Sequence, residues 1–128
     1  MARRVAPAPA GLPPGAVGAL LAVRFATEIA LLAGAAWAAG ARTRSTPLAV
    51  VLGIVACTAV SAVWGLWVAP AARRRLTDPA RLAVEVVLFA GVATALVTAR
   101  AVVAGLALAV VGIGVAVGVR ALPGPPRT

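Results

Sequence analysis

Apolar residues along the chain fall into four long runs separated by short polar connections. The runs cover about residues 16–39, 47–69, 79–98 and 101–119. About 20 residues of α-helix cross the ~30 Å hydrocarbon core of a bilayer, so each run is long enough to span it. The runs lack the apolar–polar alternation that the strands of a membrane barrel need. The pattern therefore predicts an all-α integral membrane protein.

The short connections also predict how the helices are arranged. Helices joined by short connections lie antiparallel, so we expect an up-down-up-down transmembrane four-helix bundle over residues 16–119. Residues 1–15 are basic and proline-rich, and residues 120–128 are rich in Pro and Gly, so both tails are expected to be disordered. A cleaved signal peptide is the alternative for the first run, but Arg24 and Glu28 interrupt its apolar region.

Composition and charge narrow the class of protein. The chain is 62% hydrophobic, with a mean hydropathy of +1.05, which is unusual for a water-soluble domain. Twelve arginines against three acidic residues give a net charge of +9. The arginines mostly flank the apolar runs, without the interleaved aromatic residues that stack on bases. The predicted partner is therefore the lipid bilayer and not a nucleic acid.

The distribution of arginines predicts the orientation. One side of the membrane would hold only Arg42, Arg44 and Arg100. The other would hold eight: Arg3, Arg4, Arg73, Arg74, Arg75, Arg81, Arg120 and Arg127. Positively charged connections stay in the cytoplasm, so we expect both termini and the middle connection to be cytoplasmic.

Residues capable of catalysis or metal binding are scarce. The chain has no histidine and a single cysteine, Cys57, so neither a zinc site nor an intrachain disulfide can form. Ser45 and Ser61 likewise have no histidine to activate them. We expect no catalytic residue, no cofactor, no metal and no enzymatic activity.

Charged residues inside the predicted spans are the strongest site signal. Arg24 and Glu28 lie one helical turn apart in the first run, and Glu85 lies at a similar depth in the third. Charges in hydrocarbon are costly unless they are paired. We therefore predict a buried Glu28–Arg24–Glu85 network, with Trp64 of the second run beside it. The network fixes helix register only, or contains a carboxylate that titrates or binds a cation during transport, or pairs with charges of another molecule.

The connection before the third run carries two further signals. Asp78 and Pro79 are predicted to cap the third helix, with Asp accepting hydrogen bonds from free N–H groups and Pro at the first helical position. Basic residues cluster around it and are expected to face anionic lipid at the cytoplasmic surface: Arg73, Arg74, Arg75 and Arg81.

Small residues recur at every fourth position of the second run: Ala49, Gly53, Cys57, Ser61 and Gly65. Such a stripe allows close helix packing, either within the bundle or between two copies of the chain. A homo-oligomer is therefore a further partner to consider.

Several of these residues also form motifs with a family resemblance. Residues 24–28 read RFATE, residues 63–70 read VWGLWVAP, and residues 74–89 read RRLTDPARLAVEVVLF. These segments resemble the YrdB-like bacterial membrane proteins, with Trp67 in place of the usual Phe and Ala71-Ala72 where a cation is common. The resemblance implies a four-span protein of a bacterial inner membrane and supplies no activity. It places six residues at motif positions: Arg24, Glu28, Trp64, Asp78, Arg81 and Glu85.

Two functional hypotheses follow from the sequence. In the first, the charged network organises the bundle of a membrane protein that binds a lipid or a membrane partner. In the second, the chain is a small proton- or cation-coupled transporter that works as a homodimer, since intramembrane carboxylates often mark ion paths.

Overall fold

The computed structural model describes residues 12–122, and in this range the protein is helical without any β-strand. Helix α1 covers Pro14–Gly40 and α2 covers Thr46–Val63. A π-helical segment, Trp64–Val68, continues α2, and α3 and α4 cover Ala80–Thr98 and Val102–Arg120. The predicted all-α class is confirmed. Of the tails predicted to be disordered, residues 1–15 and 120–128, the prediction is wrong for Pro14, Gly15 and Arg120, which are helical. Residues 1–11 and 123–128 lie outside the described residues.

All four helices are long and apolar enough to cross a membrane. With the π-helical segment counted in the second, they contain 27, 23, 19 and 19 residues. Large apolar side chains point outward, including Phe25, Val103 and Val110, which are 65%, 82% and 72% exposed. A water-soluble protein rarely exposes so much contiguous apolar surface. The described residues thus have the build of a multi-pass membrane protein.

The helix ends differ from the predicted boundaries by a few residues. Helix α1 begins at Pro14, two residues before the predicted span, because proline is well tolerated where the helical N–H has no partner. Helix α4 begins at Val102, after a turn in which Arg100 has a φ of 68°. The π-helical end of the second span was not predicted, because apolar periodicity does not distinguish π from α hydrogen bonding.

Helix α1 is the central element of the bundle. It packs against α2, α3 and α4, while α3 and α4 pack against each other and the π-helical segment reaches α3. The core contains seven buried residues from α1, α3 and α4: Leu31, Ala35, Ala38, Phe89, Val92, Leu96 and Leu108. Helix α2 buries only Gly53, so it is held mainly by its contact with α1.

Glycine permits the close approach of α3 and α4. A Cβ atom added at Gly112 would overlap the ring of Phe89, which is 2% exposed. A Cβ atom at Gly105 would lie 2.7 Å from the carbonyl oxygen of Ala93. The contact of α2 with α1 is less tight, because a Cβ atom at Gly53 would lie 3.2 Å from the carbonyl oxygen of Ala36. Close contact between backbones is a common source of helix association in membranes.

The Gly112→Ala variant should therefore be less stable than the native protein. Forcing an extra carbon against a packed aromatic ring typically costs about 1–3 kcal/mol. Thermal unfolding in detergent, followed by circular dichroism, measures the loss. The matched control is Gly114→Ala in the same helix, where the added carbon would meet nothing within 4 Å. Equal stability of the two variants would contradict the proposed role of Gly112.

Candidate functional site

Glu85 is the most deeply buried charged residue described in the structure. It lies in the second turn of α3 and is 1% exposed. Phe89 follows one turn later on the same buried face, so the helical repeat that directs the phenyl ring into the core also directs this carboxylate there. A carboxylate removed from water costs several kcal/mol unless it is paired and hydrogen-bonded.

The principal partner of Glu85 is Arg120, the last residue of α4. Its Nη2 donates to Glu85 Oε1 at 2.9 Å, and its Nη1 donates to Glu85 Oε2 at 3.2 Å. This two-bond geometry is the one that a guanidinium forms best with a carboxylate. Arg120 also donates from Nε to Asp78 Oδ1 at 2.8 Å and from Nη1 to the carbonyl oxygen of Ala116 at 2.6 Å. One side chain thus joins the end of α4 to α3 and to the connection before it.

Arg24 joins α1 to the same carboxylate. Its Nη2 donates to Glu85 Oε1 at 3.3 Å, and its Nε donates to Glu28 Oε1 at 3.2 Å. The side chains of Arg24 and Glu28 are 22% and 28% exposed, so both are better solvated than Glu85. The structure therefore brings together the three charged residues that the sequence places in a network.

Arg81 adds a third cation to the group. Its Nη2 donates to Asp78 Oδ2 at 2.9 Å, and its Nε lies 3.9 Å from Glu85 Oε1. That Nε is buried and has no hydrogen-bond partner among residues 12–122. Asp78 itself is exposed to 48%. The hydrogen bond from Arg120, helped by the charges of Arg120 and Arg81, lowers the pKa of Asp78 below its ordinary value of 3.8.

These ion pairs form one charge cluster, which we define by its six residues: Arg24, Glu28, Asp78, Arg81, Glu85 and Arg120. The cluster includes all three acidic residues of the chain. Three arginines and three carboxylates cancel in formal charge. The cluster connects α1, α3 and α4 at one end of the bundle, which we call the charged end.

Trp64 approaches the cluster from the second span, where the π-helical segment continues α2. It is the first residue of the π-helical segment, and it lines a small crevice together with Arg24, Glu28 and Glu85. The chain folds back over this segment, because the N–H of Arg74 donates to Leu66 O at 3.2 Å and that of Leu76 donates to Trp67 O at 3.0 Å. The second span therefore contributes an aromatic side chain to the cluster and no charge.

Two predicted residues have a different role from the one expected. The cap position of α3 is Pro79, and no side chain makes a capping hydrogen bond there. Asp78 instead accepts hydrogen bonds from Arg81 and Arg120. The expected helix cap at Asp78 and Pro79 is thus replaced by ion pairs, because two guanidinium groups are stronger partners for a carboxylate than backbone N–H groups.

The structure separates the basic residues around the connection before α3 into two groups. Arg81 belongs to the charge cluster, whereas three exposed residues form no ion pair within residues 12–122: Arg73, Arg74 and Arg75. Within the same range, no group of His, Cys, Asp and Glu side chains could hold a metal ion.

Arg120 is the cluster residue that sequence reasoning missed. It was assigned only to the charge balance between the two sides of the membrane. The sequence does contain a signal for its position. Because the turn between α3 and α4 is short and the two helices have similar lengths, the end of α4 must lie at the level where α3 begins. Asp78, Arg81 and Glu85 are there, so a cation at the end of α4 has carboxylates within reach.

Four membrane-length helices, joined at one end by a charge-balanced cluster around a buried carboxylate, define a small helical membrane protein. The model of the family DUF2568, described as a protein of unknown function, matches residues 22–113. This match covers more than half of the chain, so the protein belongs to that family. Neither the curated proteins nor the solved structures include a match to the chain.

Glu85→Gln should destabilise the protein far more than Glu28→Gln. Both substitutions remove one carboxylate charge and keep the side-chain shape. Loss of the charge at Glu85 leaves three arginines around a buried neutral group, which typically costs about 3–5 kcal/mol. Glu28 is better solvated and has one partner, so its loss should cost about 1 kcal/mol or less. Thermal unfolding in detergent compares them, and similar losses for both variants would show that Glu85 is not the centre of the cluster.

Proposed function

We propose that the protein is a multi-pass protein of a bacterial cytoplasmic membrane, whose charge cluster holds the bundle together and whose exposed arginines bind anionic lipid. The bacterial source rests on the resemblance to YrdB-like proteins. The proposed topology is up-down-up-down, with both termini and the connection of residues 69–79 in the cytoplasm. In this orientation the charged end faces the cytoplasm.

Contacts between the helices support this topology. Gly40 at the end of α1 lies close to Ala49 near the start of α2, and Gly53 lies close to Ala36. Arg42, just after α1, donates to Thr98 Oγ1 at 2.6 Å, at the end of α3. Asp78 before α3 accepts from Arg120 at the end of α4. Each of these contacts requires the two elements to share an end of the bundle.

The observation that carries the lipid proposal is that all three acidic side chains of the chain are already paired with arginines of the charge cluster. Glu28, Asp78 and Glu85 all lie within the charge cluster, where their charges are already balanced. Arg73, Arg74 and Arg75 are exposed beside it and form no salt bridge in the described part of the chain. Their positive charge is therefore directed outward, where the head groups of the cytoplasmic leaflet would lie.

Anionic head groups suit these three residues. A guanidinium near a membrane surface gains about 1 kcal/mol from anionic lipid, so three together favour it by roughly a hundredfold. Guanidinium groups also form two parallel hydrogen bonds with a phosphate. Binding or organisation of lipid is more consistent with these residues than catalysis, since the chain has no histidine to activate a nucleophile.

The triple variant Arg73→Gln, Arg74→Gln, Arg75→Gln tests the proposal. The protein is reconstituted in nanodiscs containing phosphatidylglycerol and phosphatidylcholine, and a spin-labelled lipid of each type reports its association with the protein. We expect the native preference for phosphatidylglycerol to be largely lost in the triple variant. Arg44→Gln, which removes an exposed arginine from the opposite end, should keep most of it. An unchanged preference in the triple variant would refute the assignment.

A coupled transporter is the second candidate, and one observation favours it. Glu28 lines a crevice of about 240 Å³ between α1 and α2, together with Phe25, Ser61 and Trp64. A carboxylate beside aromatic rings is suited to a cation. The ion pair with Arg24 opposes this function, because it already neutralises the carboxylate that would have to exchange a proton or a cation.

Proton flux in liposomes decides between the two candidates. If the chain is a transporter that uses Glu28, the native protein will carry protons down an imposed pH gradient and Glu28→Gln will abolish that flux. If the cluster is structural, both proteins will match empty liposomes. Because Glu28→Gln is expected to remain folded, a lack of flux cannot be attributed to unfolding.

A further inference from the structure

A long groove runs between α1 and α4 on the outside of the bundle. It has a volume of about 730 Å³ and is lined by α1 from Val23 to Trp37 and by α4 from Ala101 to Val111, with Leu96 of α3 at its base. At 1.5 Å per residue, the α1 wall is ~21 Å long, which exceeds the ~15 Å thickness of one leaflet of the hydrocarbon core. The groove therefore follows the direction in which an acyl chain lies.

Small side chains keep this groove open. Six of its thirteen lining residues are alanines: Ala26, Ala30, Ala33, Ala101, Ala104 and Ala107. The same two helices carry many larger aliphatic residues that point elsewhere, such as Val103 and Val110, which are 82% and 72% exposed. The groove thus arises from where the small residues lie on each helix.

The lining offers very few polar groups to which water could bind. Thr27 is its only residue with a hydroxyl group, and that hydroxyl donates to the carbonyl oxygen of Arg24 at 2.7 Å. An apolar groove of this kind is filled by hydrocarbon rather than by ordered water, which needs two to four polar partners. The groove is open along the surface of the bundle, so an acyl chain of the surrounding membrane can lie in it. The exposed cation Arg100 at one end favours a phospholipid over a helix of a second copy.

The end of the groove that is far from the charge cluster has the residues that bind a lipid head group. Trp37 lines the groove there and is 53% exposed, and Arg100 immediately precedes the lining residue Ala101. Arg100 is exposed and has no ion-pair partner among residues 12–122. Arg42 at the same end is already bonded to Thr98 and to the carbonyl oxygen of Ala95. All three carboxylates of the chain lie at the charged end, so a phosphate meets no repulsion near Arg100.

From these observations we infer that the α1–α4 groove binds one phospholipid, with an acyl chain along the alanine walls and the phosphate at Arg100. This site lies at the opposite end of the bundle from Arg73, Arg74 and Arg75, so it does not depend on lipid binding there. It requires only that the four helices lie in a membrane. Tryptophan and arginine are a common pair at the level of lipid head groups, because an indole prefers the interface and a guanidinium binds phosphate.

The test is the retention of phospholipid by the purified full-length protein, measured by native mass spectrometry after extraction in a mild detergent. We expect the native chain to retain one phospholipid. The variant Ala30→Leu/Ala104→Leu fills the groove and should lose it. Ala62→Leu, on an exposed position of α2 outside the groove, should retain it. Arg100→Gln should lower the bound fraction about fivefold, and Arg44→Gln should leave it unchanged.

Each alternative has its own outcome in the same spectra. Undiminished retention in the filled variant would overturn the proposal, as would a native chain that retains no phospholipid. A native dimer that the filled variant converts to a monomer would assign the groove to a second copy and also overturn it. Because the added leucines point outward, circular dichroism should show native helicity and melting for the filled variant. The triple variant at Arg73, Arg74 and Arg75 should keep the groove lipid, which separates this proposal from the preceding one.

Discussion

The structure depends on the neutralisation of one carboxylate that has almost no contact with solvent. Glu85 is 1% exposed and has guanidinium groups on three sides, from Arg24, Arg81 and Arg120. An isolated charge in such surroundings would be too costly to keep, so the helices that carry its partners must stay close to α3. The geometry of α1 and α4 at the charged end follows from this requirement. Shape-matched contacts, such as Gly112 against Phe89, then complete the packing of α3 against α4.

Apolar patterning predicted much of the fold, because the length of a membrane-crossing helix is a strong constraint. The four runs correspond to the four helices, and the central residues of each run lie inside the observed element. The apolar pattern did not predict a change in backbone hydrogen bonding that occurs within a uniformly apolar segment. The segment Trp64–Val68 is as apolar as the residues before it, yet it is π-helical and turns the chain back toward the start of α3.

The charge cluster was predictable in part, and the limit has a physical reason. Depth along a helix follows from residue number, so Arg24, Glu28 and Glu85 could be placed at similar levels. Rotation about the helix axis and the distance between axes do not follow from it. Among the arginines assigned to that side of the membrane, sequence alone gave no reason to choose Arg120 over Arg73 as a partner. The choice depends on α4 packing tightly against α3, which the glycines of α4 permit.

The position of Arg120 at the end of α4, well after Glu85 in the chain, affects how the protein is made. Glu85 and its main partner are separated by 35 residues, and Arg120 is the last residue of α4. At about 5–20 residues per second, the ribosome needs roughly 2–7 seconds to add those residues. During that interval the carboxylate has only Arg24 and Arg81 for compensation. The nascent protein thus passes through a stage in which three helices exist but the carboxylate of Glu85 is incompletely neutralised. This stage ends when the final turn of α4 has been translated.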